Sequence, residues 1–334
     1  MSIGIALAER ALVPDALVRR GIRGLLADRL KEINPDSSAR FEAQLVRAPL
    51  AIEQAAANTQ HYEVPPAFFD LCLGPHRKYS SAWYEGGARN LGEAEAAMLE
   101  KSCAHAGLAD GQEILEIGCG WGSLTLWMAR RYPKAQILAI SNSNPQREFI
   151  TAILKNEGLA NVEVRTVDMV QFAPERTFDR VVSIECFEHL RNWDLLFQRI
   201  AGWLKPEGRL WFHVFVHKSF SYPFNDRNDD DWMSRHFFTG GMMPALGLPG
   251  RLHRHLVVED QVAVNGTNYG KTAEAWLVNL DQNAGPCKKI LAQAGFDAGV
   301  QLQRWRIFFM SCAELWNWDG GQEWLVAHYR MRRA

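Results

Sequence analysis

Two carboxylates and an imidazole crowd into five residues, Glu185-Cys-Phe-Glu-His189. They follow Arg180–Ile184, an apolar run that reads as a buried strand, so the backbone changes direction where they emerge. Desolvated carboxylates close together cannot both ionise easily, and one is pushed toward values useful for taking a proton near neutrality. An imidazole beside them can act as base or relay. The plainer alternative is that Glu188-His189 caps the helix that follows.

A second stretch fits ligand binding by backbone. Glu113-Ile-Leu-Glu-Ile-Gly-Cys-Gly-Trp-Gly122 runs from a buried strand through three glycines into a helix. Glycines there permit positive φ and close backbone approach to a ligand over a helix amino terminus. The spacing is GxGxG, and the second strand ends Ile140-Ser-Asn142 without an acid. A dinucleotide fingerprint would need GxGxxG and an acid on the ribose, so a nicotinamide site is excluded on both counts.

These residues need a scaffold, and the middle of the chain supplies one. Strands are expected at Glu113–Ile117, Gln136–Ile140, Val162–Thr166, Arg180–Ile184 and Arg209–Phe215. Helices lie between them near Ser123–Tyr132, Pro145–Glu157 and Leu190–Leu204. Such alternation predicts a parallel sheet covered on both faces, with ligands outside the carboxyl ends of its strands. Residues 1–60 carry helical periodicity from Val13 to Ile33 and again from Phe41 to Ala55, with near-balanced charge, and are expected to pack on the body of the protein. Residues 215–250 are aromatic and irregular, and are expected to form a lid or substrate wall. The tail offers a strand at Leu256–Val264, two helices and a last strand at Trp324–Arg330.

Composition narrows the function classes. Of 334 residues, 47% are hydrophobic, which supports a large core. Lys plus Arg is 37 against 38 for Asp plus Glu, so no basic field exists to hold nucleic acid. The six cysteines stand apart without a CxxC pair, and HxxE does not occur, so no metal is expected. No apolar run approaches membrane-spanning length, and a cytoplasmic protein is expected.

The glycine run resembles the first motif of S-adenosylmethionine-dependent methyltransferases of the seven-stranded class. His61-Tyr-Glu-Val-Pro65, Lys78-Tyr-Ser-Ser-Ala-Trp-Tyr84, Ile184-Glu-Cys-Phe-Glu-His-Leu190, Phe237-Phe-Thr-Gly-Gly-Met-Met-Pro244 and Asn268-Tyr-Gly-Lys-Thr272 sharpen the likeness. Together they resemble the cyclopropane-fatty-acid-synthase-like superfamily, most closely the benzylisoquinoline amine N-methyltransferases of the coclaurine and pavine types. The resemblance implies an α/β, Rossmann-like fold of seven strands with an added N-terminal helical region, a methyltransferase domain over residues 61–334, and S-adenosylmethionine as cofactor.

It also implies roles. Tyr79 and Ser80 would meet the methionine carboxylate, with Gly118 and Gly120 beneath the methionine portion. Ser141 and Gln146 would contact the ribose at the Asn142 turn. Asp168 would accept from the adenine amino group, with Met169 against the ring. For an amine acceptor, His189 would take or relay the ammonium proton, Glu185 would orient the amine, and Glu188 would brace His189 or a nearby loop. His213, expected at the end of the fifth strand, joins them. Ser81, Phe215, Phe238 and Tyr269 would line the substrate side. The Asp229–Asp231 run either caps a helix, stays solvated or attracts a cationic substrate.

The lipid branch of the superfamily usually carries a small residue at the Glu185 position and a cysteine at the Ser81 position. Its bicarbonate site nevertheless has counterparts here in Glu188, His213 and Tyr269. Two other readings therefore stay open, an enzyme that methylates or cyclopropanates an acyl chain and an inactive cofactor-binding scaffold. The expected partner is a small amine, with a second copy of the chain as a further option; nucleic acid and stable membrane insertion are not expected.

Overall fold

The computed structural model describes residues 3–52, 64–224 and 231–334. Its main sheet has seven strands: β1 (Glu113–Ile117), β2 (Gln136–Ser141), β3 (Val162–Thr166), β4 (Phe178–Ile184), β5 (Leu204–His217), β6 (Leu256–Val264) and β7 (Trp324–Arg333). They lie in the order β3-β2-β1-β4-β5-β7-β6. β1 to β5 pair in parallel, and β7 inserts antiparallel between β5 and β6. Period-two alternation divides the buried side chains between two faces. Leu115, Ile117, Leu138 and Ile140 face the Trp193–Trp203 helix, while Ile114, Ile137 and Ala139 face the helices Leu91–Ala106, Ser123–Arg131 and Asn144–Glu157.

Helix boundaries follow local chemistry. The Asn34 side chain accepts from Ser37 N–H and opens the Pro35–Leu45 helix, and Ser143 caps Asn144–Glu157. Gly107 and Gly158 close helices in the left-handed conformation that disfavours a Cβ.

A third apolar cluster roofs the carboxyl ends of the strands. It is built around the helices Thr267–Gln282, Ala284–Gln293 and Ala298–Asn317. The tail thus has three helices where periodicity suggested two, because Asn283 interrupts one of them. Trp305 is fully buried against Phe68, Phe69, Tyr79, Phe237 and Phe308. Burial of side chains of this size is worth roughly 2–3 kcal/mol each, which fixes the roof over the sheet.

The N-terminal helices dock as the sequence implies. Asp15–Glu32 lies against Ala298–Asn317, and Arg19 bridges Glu274 and Glu314. The helical run expected from Phe41 to Ala55 stops at Leu45, and Ala51 instead bridges Leu190 antiparallel; residues 53–63, with His61, lie outside the described residues, as do Asp229 and Asp230. Asp231 pairs with Arg29 at 3.3 Å. In the 215–250 stretch, the ribbon strand Tyr222–Pro223 pairs with Met242–Met243, and the Trp232–Phe237 helix packs into the roof.

β5 overruns its expected bounds at both ends, from Leu204 to His217. β5 continues to His217 because β7 hydrogen-bonds beside it as far as Trp324, beyond the last residue of β4. His213 therefore lies inside β5 and not at its end.

Candidate active site

A cavity opens between the carboxyl ends of β1, β2 and β4 and the aromatic roof. One side is backbone. Gly118 and Gly120 adopt φ of +77° and +53°, and a Cβ on Gly120 would meet nothing within 4 Å. The main chain here thus borders open space at the amino end of the Ser123–Arg131 helix, as the spacing predicts. At Gly118 a Cβ would stand 2.6 Å from Cys186 Sγ, so the turn and the end of β4 pack without room for one.

Along that side lie Tyr79, Ser80, Ser141, Asn142, Gln146 and Met169, all lining the cavity. Ser141 Oγ donates to Gln146 Oε1 at 2.7 Å and accepts from Ser143 N–H, which orients both polar groups. Asp168 stands just after the carboxyl end of β3, where the sequence puts it. It is exposed, stands outside the lining although Val167 and Met169 belong to it, and its Oδ1 accepts from Val170 N–H at 2.8 Å.

The acids line the cavity beyond the end of β4, the strand beside β1. Glu185 has φ +44°, a left-handed conformation for a non-glycine residue, and donates its N–H to the His213 carbonyl at 2.8 Å. Its carboxylate is enclosed by donors. Oε1 accepts from Ser81 N–H at 3.2 Å and faces His213 Nε2 at 3.1 Å, and Oε2 accepts from the Tyr269 hydroxyl at 2.6 Å. Burial pushes this carboxyl up to about 7, against the lowering effect of the Lys78 ammonium, Tyr269 and Ser81 N–H.

Glu188 is 1% exposed, and its Oε2 has no hydrogen-bond partner. Burial, then the nearby Glu185 charge, drives its carboxyl well above the usual range. A buried, orphaned oxygen on a cavity wall suits a ligand better than the bracing expected of it. His189 lines the same wall and stacks on Phe238 at 6.0 Å and 13°. Phe215, Phe238, Phe308 and Tyr269 complete an aromatic lining.

Two expected roles move. Ser81 is not on the cavity wall; its hydroxyl donates to the Ala82 carbonyl, and its contribution is the backbone N–H to Glu185. His213 is fully enclosed behind Glu185, because β5 runs past it, and so cannot touch a ligand in the cavity.

One functional group carried no assignment from sequence. Lys78 is 1% exposed, lines the cavity and donates to Ser80 Oγ at 2.5 Å and the Ser81 carbonyl at 2.7 Å. Burial lowers its ammonium to about 8, opposed by Glu185 and Glu95. A lysine in an aromatic-rich run gives no hint of burial when its carboxylate neighbours, Glu95 and Glu185, both lie outside that run.

The residues present fit a nucleoside sulfonium: bare backbone at Gly120, oriented polar groups at Ser141 and Gln146, and apolar Met169 beside them. Comparison with known proteins gives the same answer. The family described as mycolic acid cyclopropane synthetase matches residues 51–321. An (S)-coclaurine N-methyltransferase of Thalictrum flavum subsp. glaucum is 32% identical, covering 97% of this chain and 94% of its own length. A cyclopropane-fatty-acyl-phospholipid synthase of Escherichia coli K12 is also 32% identical, but over 65% of this chain. The crystal structure of a coclaurine N-methyltransferase bound to N-methylheliamine and SAH superposes with a TM-score of 0.93 at 30% identity, covering 98% of both chains. The glycine turn, the seven-strand order and these matches converge, and the chain belongs to the mycolic acid cyclopropane synthetase family as an S-adenosylmethionine-dependent methyltransferase.

Proposed function

We propose that this enzyme transfers the methyl group to the nitrogen of a small, aromatic-bearing amine. The observation that carries the proposal is the bonding of Glu185. The Ser81 position, His213 and Tyr269, which the lipid branch would devote to bicarbonate, all bond here to the protein's own carboxylate. A built-in anion in that place favours an amine acceptor and removes the need for a dissolved one.

When bound, S-adenosylmethionine supplies an electrophilic methyl carbon whose bond to sulfur breaks as the amine lone pair attacks. The protein's task is to present that lone pair. An aliphatic amine arrives mostly protonated, and Glu188 Oε2 is placed to receive its N–H. His189 takes or relays the proton, leaving neutral nitrogen at the cavity wall. Aromatic faces at Phe215, Phe238 and Phe308 hold the cationic and ring portions of the substrate. Glu185, fixed by its donors, offsets the positive charge that returns to nitrogen as the new bond forms.

The test incubates the protein with methyl-labelled S-adenosylmethionine and a panel of primary, secondary and tertiary amines beside unsaturated phospholipids, with and without bicarbonate. Label in an amine, independent of bicarbonate, supports the proposal. Label confined to the lipid, dependent on bicarbonate, overturns it.

A further inference from the structure

Hydrogen bonding continues behind Glu185. His213 on β5 and His328 on β7 are register partners in the antiparallel ladder, and both are buried. His213 Nε2 meets Glu185 Oε1 at 3.1 Å, and His213 Nδ1 meets His328 Nε2 at 3.1 Å. The remaining nitrogen, His328 Nδ1, is buried with no hydrogen-bond partner. Next to it the His105 ring stacks at 5.8 Å, with its own nitrogens already engaged. His105 Nδ1 accepts from Trp211 Nε1–H at 3.0 Å, and its Nε2 meets Asp260 Oδ2 at 3.0 Å.

These contacts order the protons. A buried N–H without an acceptor is costlier and rarer than a bare acceptor. His328 therefore keeps its proton on Nε2 and leaves Nδ1 bare. That Nε2–H donates to His213 Nδ1, which must then be unprotonated. A neutral His213 carries its proton on Nε2 and gives it to Glu185 Oε1. Both rings stay neutral, since burial and the Lys78 cation disfavour imidazolium at either position.

We infer that His328 is a positioning residue for the reaction: it fixes the tautomer of His213, makes that ring a standing donor to Glu185, and so keeps the carboxylate charged. The catalytic meaning of this chain rests on the role proposed for Glu185; the tautomer order itself does not. Other groups also act on these residues. Lys78, Glu188, Tyr269 and Cys312 surround Glu185, and Lys101 and His105 face His328. None of them bonds to His213 Nδ1, so among the described residues the His328 N–H is what holds that nitrogen bare, in accord with the Glu185 carboxylate at Nε2.

The test labels histidine imidazoles with nitrogen-15 in the full chain and assigns His213 by its loss in His213→Gln. At pH 8 the wild type should show a bare Nδ1 and a protonated Nε2 at His213; the opposite tautomer overturns the inference, whatever the substrate proves to be. The kinetic arm uses the amine found by the labelling panel. His328→Leu removes the donor, so kcat at pH 7 should fall about tenfold, for loss of one hydrogen bond. Its acid limb should move to higher pH, with KM for S-adenosylmethionine unchanged. His328→Gln keeps an N–H and should recover most of the loss. A pH profile of His328→Leu that superposes on wild type would sink the inference even if the variant were less stable.

Discussion

The Tyr269 hydroxyl donates to Glu185 Oε2 over 2.6 Å, tying the Thr267–Gln282 helix to the end of β4 on the inner wall of the cavity. The bond favours the charged form of a carboxyl that burial drives the other way. Tyr269→Phe should therefore raise the Glu185 pKa above its present value of about 7. A hydrogen bond to a charged group is worth about 1.5–3 kcal/mol, so kcat at pH 7 should fall roughly 10- to 100-fold. Recovery at higher pH separates this effect from a lost packing contact, which would lower the rate at every pH.

Glu185→Gly tests the built-in anion. The residue sits at φ +44°, where a side chain is strained and glycine is not. The variant should fold at least as well as wild type and lose at least 100-fold in amine methylation, measured with labelled cofactor. Because Ser81 N–H, His213 and Tyr269 would be left facing a vacated anion position, added bicarbonate should restore part of the rate. Formate, of similar charge and smaller size, offers a control. An unrescued variant would show that the three donors serve Glu185 alone.

Much of this site was legible along the chain because its parts are local. The glycine turn follows β1 directly, and the 185–189 cluster follows β4 directly, so strand–turn spacing alone places them on one rim. Pairings between distant segments were not legible. Ser81 N–H reaches Glu185 across 104 positions and the Tyr269 hydroxyl across 84. Neither spacing distinguishes a side chain on the cavity wall from a backbone group behind it. The burial of Lys78 and the extension of β5 past His213 depend on what packs alongside, in the second case β7 from the far end of the chain.

Gly118→Ala should abolish detectable cofactor binding by calorimetry. Its Cβ would lie 2.6 Å from Cys186 Sγ, and its φ of +77° is unfavourable for any side chain. Gly118→Ala combined with Cys186→Gly removes the collision and retains the backbone strain. Partial recovery of binding in the double variant is expected. Gly120→Ala meets no protein atom, so any affinity it loses reports contact with the cofactor together with strain at φ +53°.

His189→Ala should separate proton handling from binding. His189 lines the cavity and stacks on Phe238. A loss of about 100- to 1,000-fold in kcat is expected of a general base, with affinity for S-adenosylmethionine within about twofold of wild type. Raising the pH, or supplying an amine of lower pKa that arrives neutral, should narrow the deficit. Loss of cofactor affinity instead would reassign the residue to the cofactor side.

Glu116, the penultimate residue of β1, lines the cavity and gives the fold a measurable pH signature. Burial pushes its carboxyl up to about 8, and the hydrogen bond from Thr125 Oγ1 at 2.5 Å only partly opposes this. In the unfolded chain a glutamate titrates near about 4.3. Between these values the folded chain holds a proton that the unfolded chain has released, so stability declines as pH rises through the window. Glu95 and Glu185, each raised by burial to about 7, act in the same direction. His213 and His328, held neutral by burial, act the other way below about pH 6.5, so wild-type Tm without cofactor should fall between about pH 6.5 and pH 8. Glu116→Gln cannot ionise, so its Tm should fall less over the same interval, and it should overtake wild type at the alkaline end. Parallel Tm curves for the two proteins would show that Glu116 is already charged in the folded state.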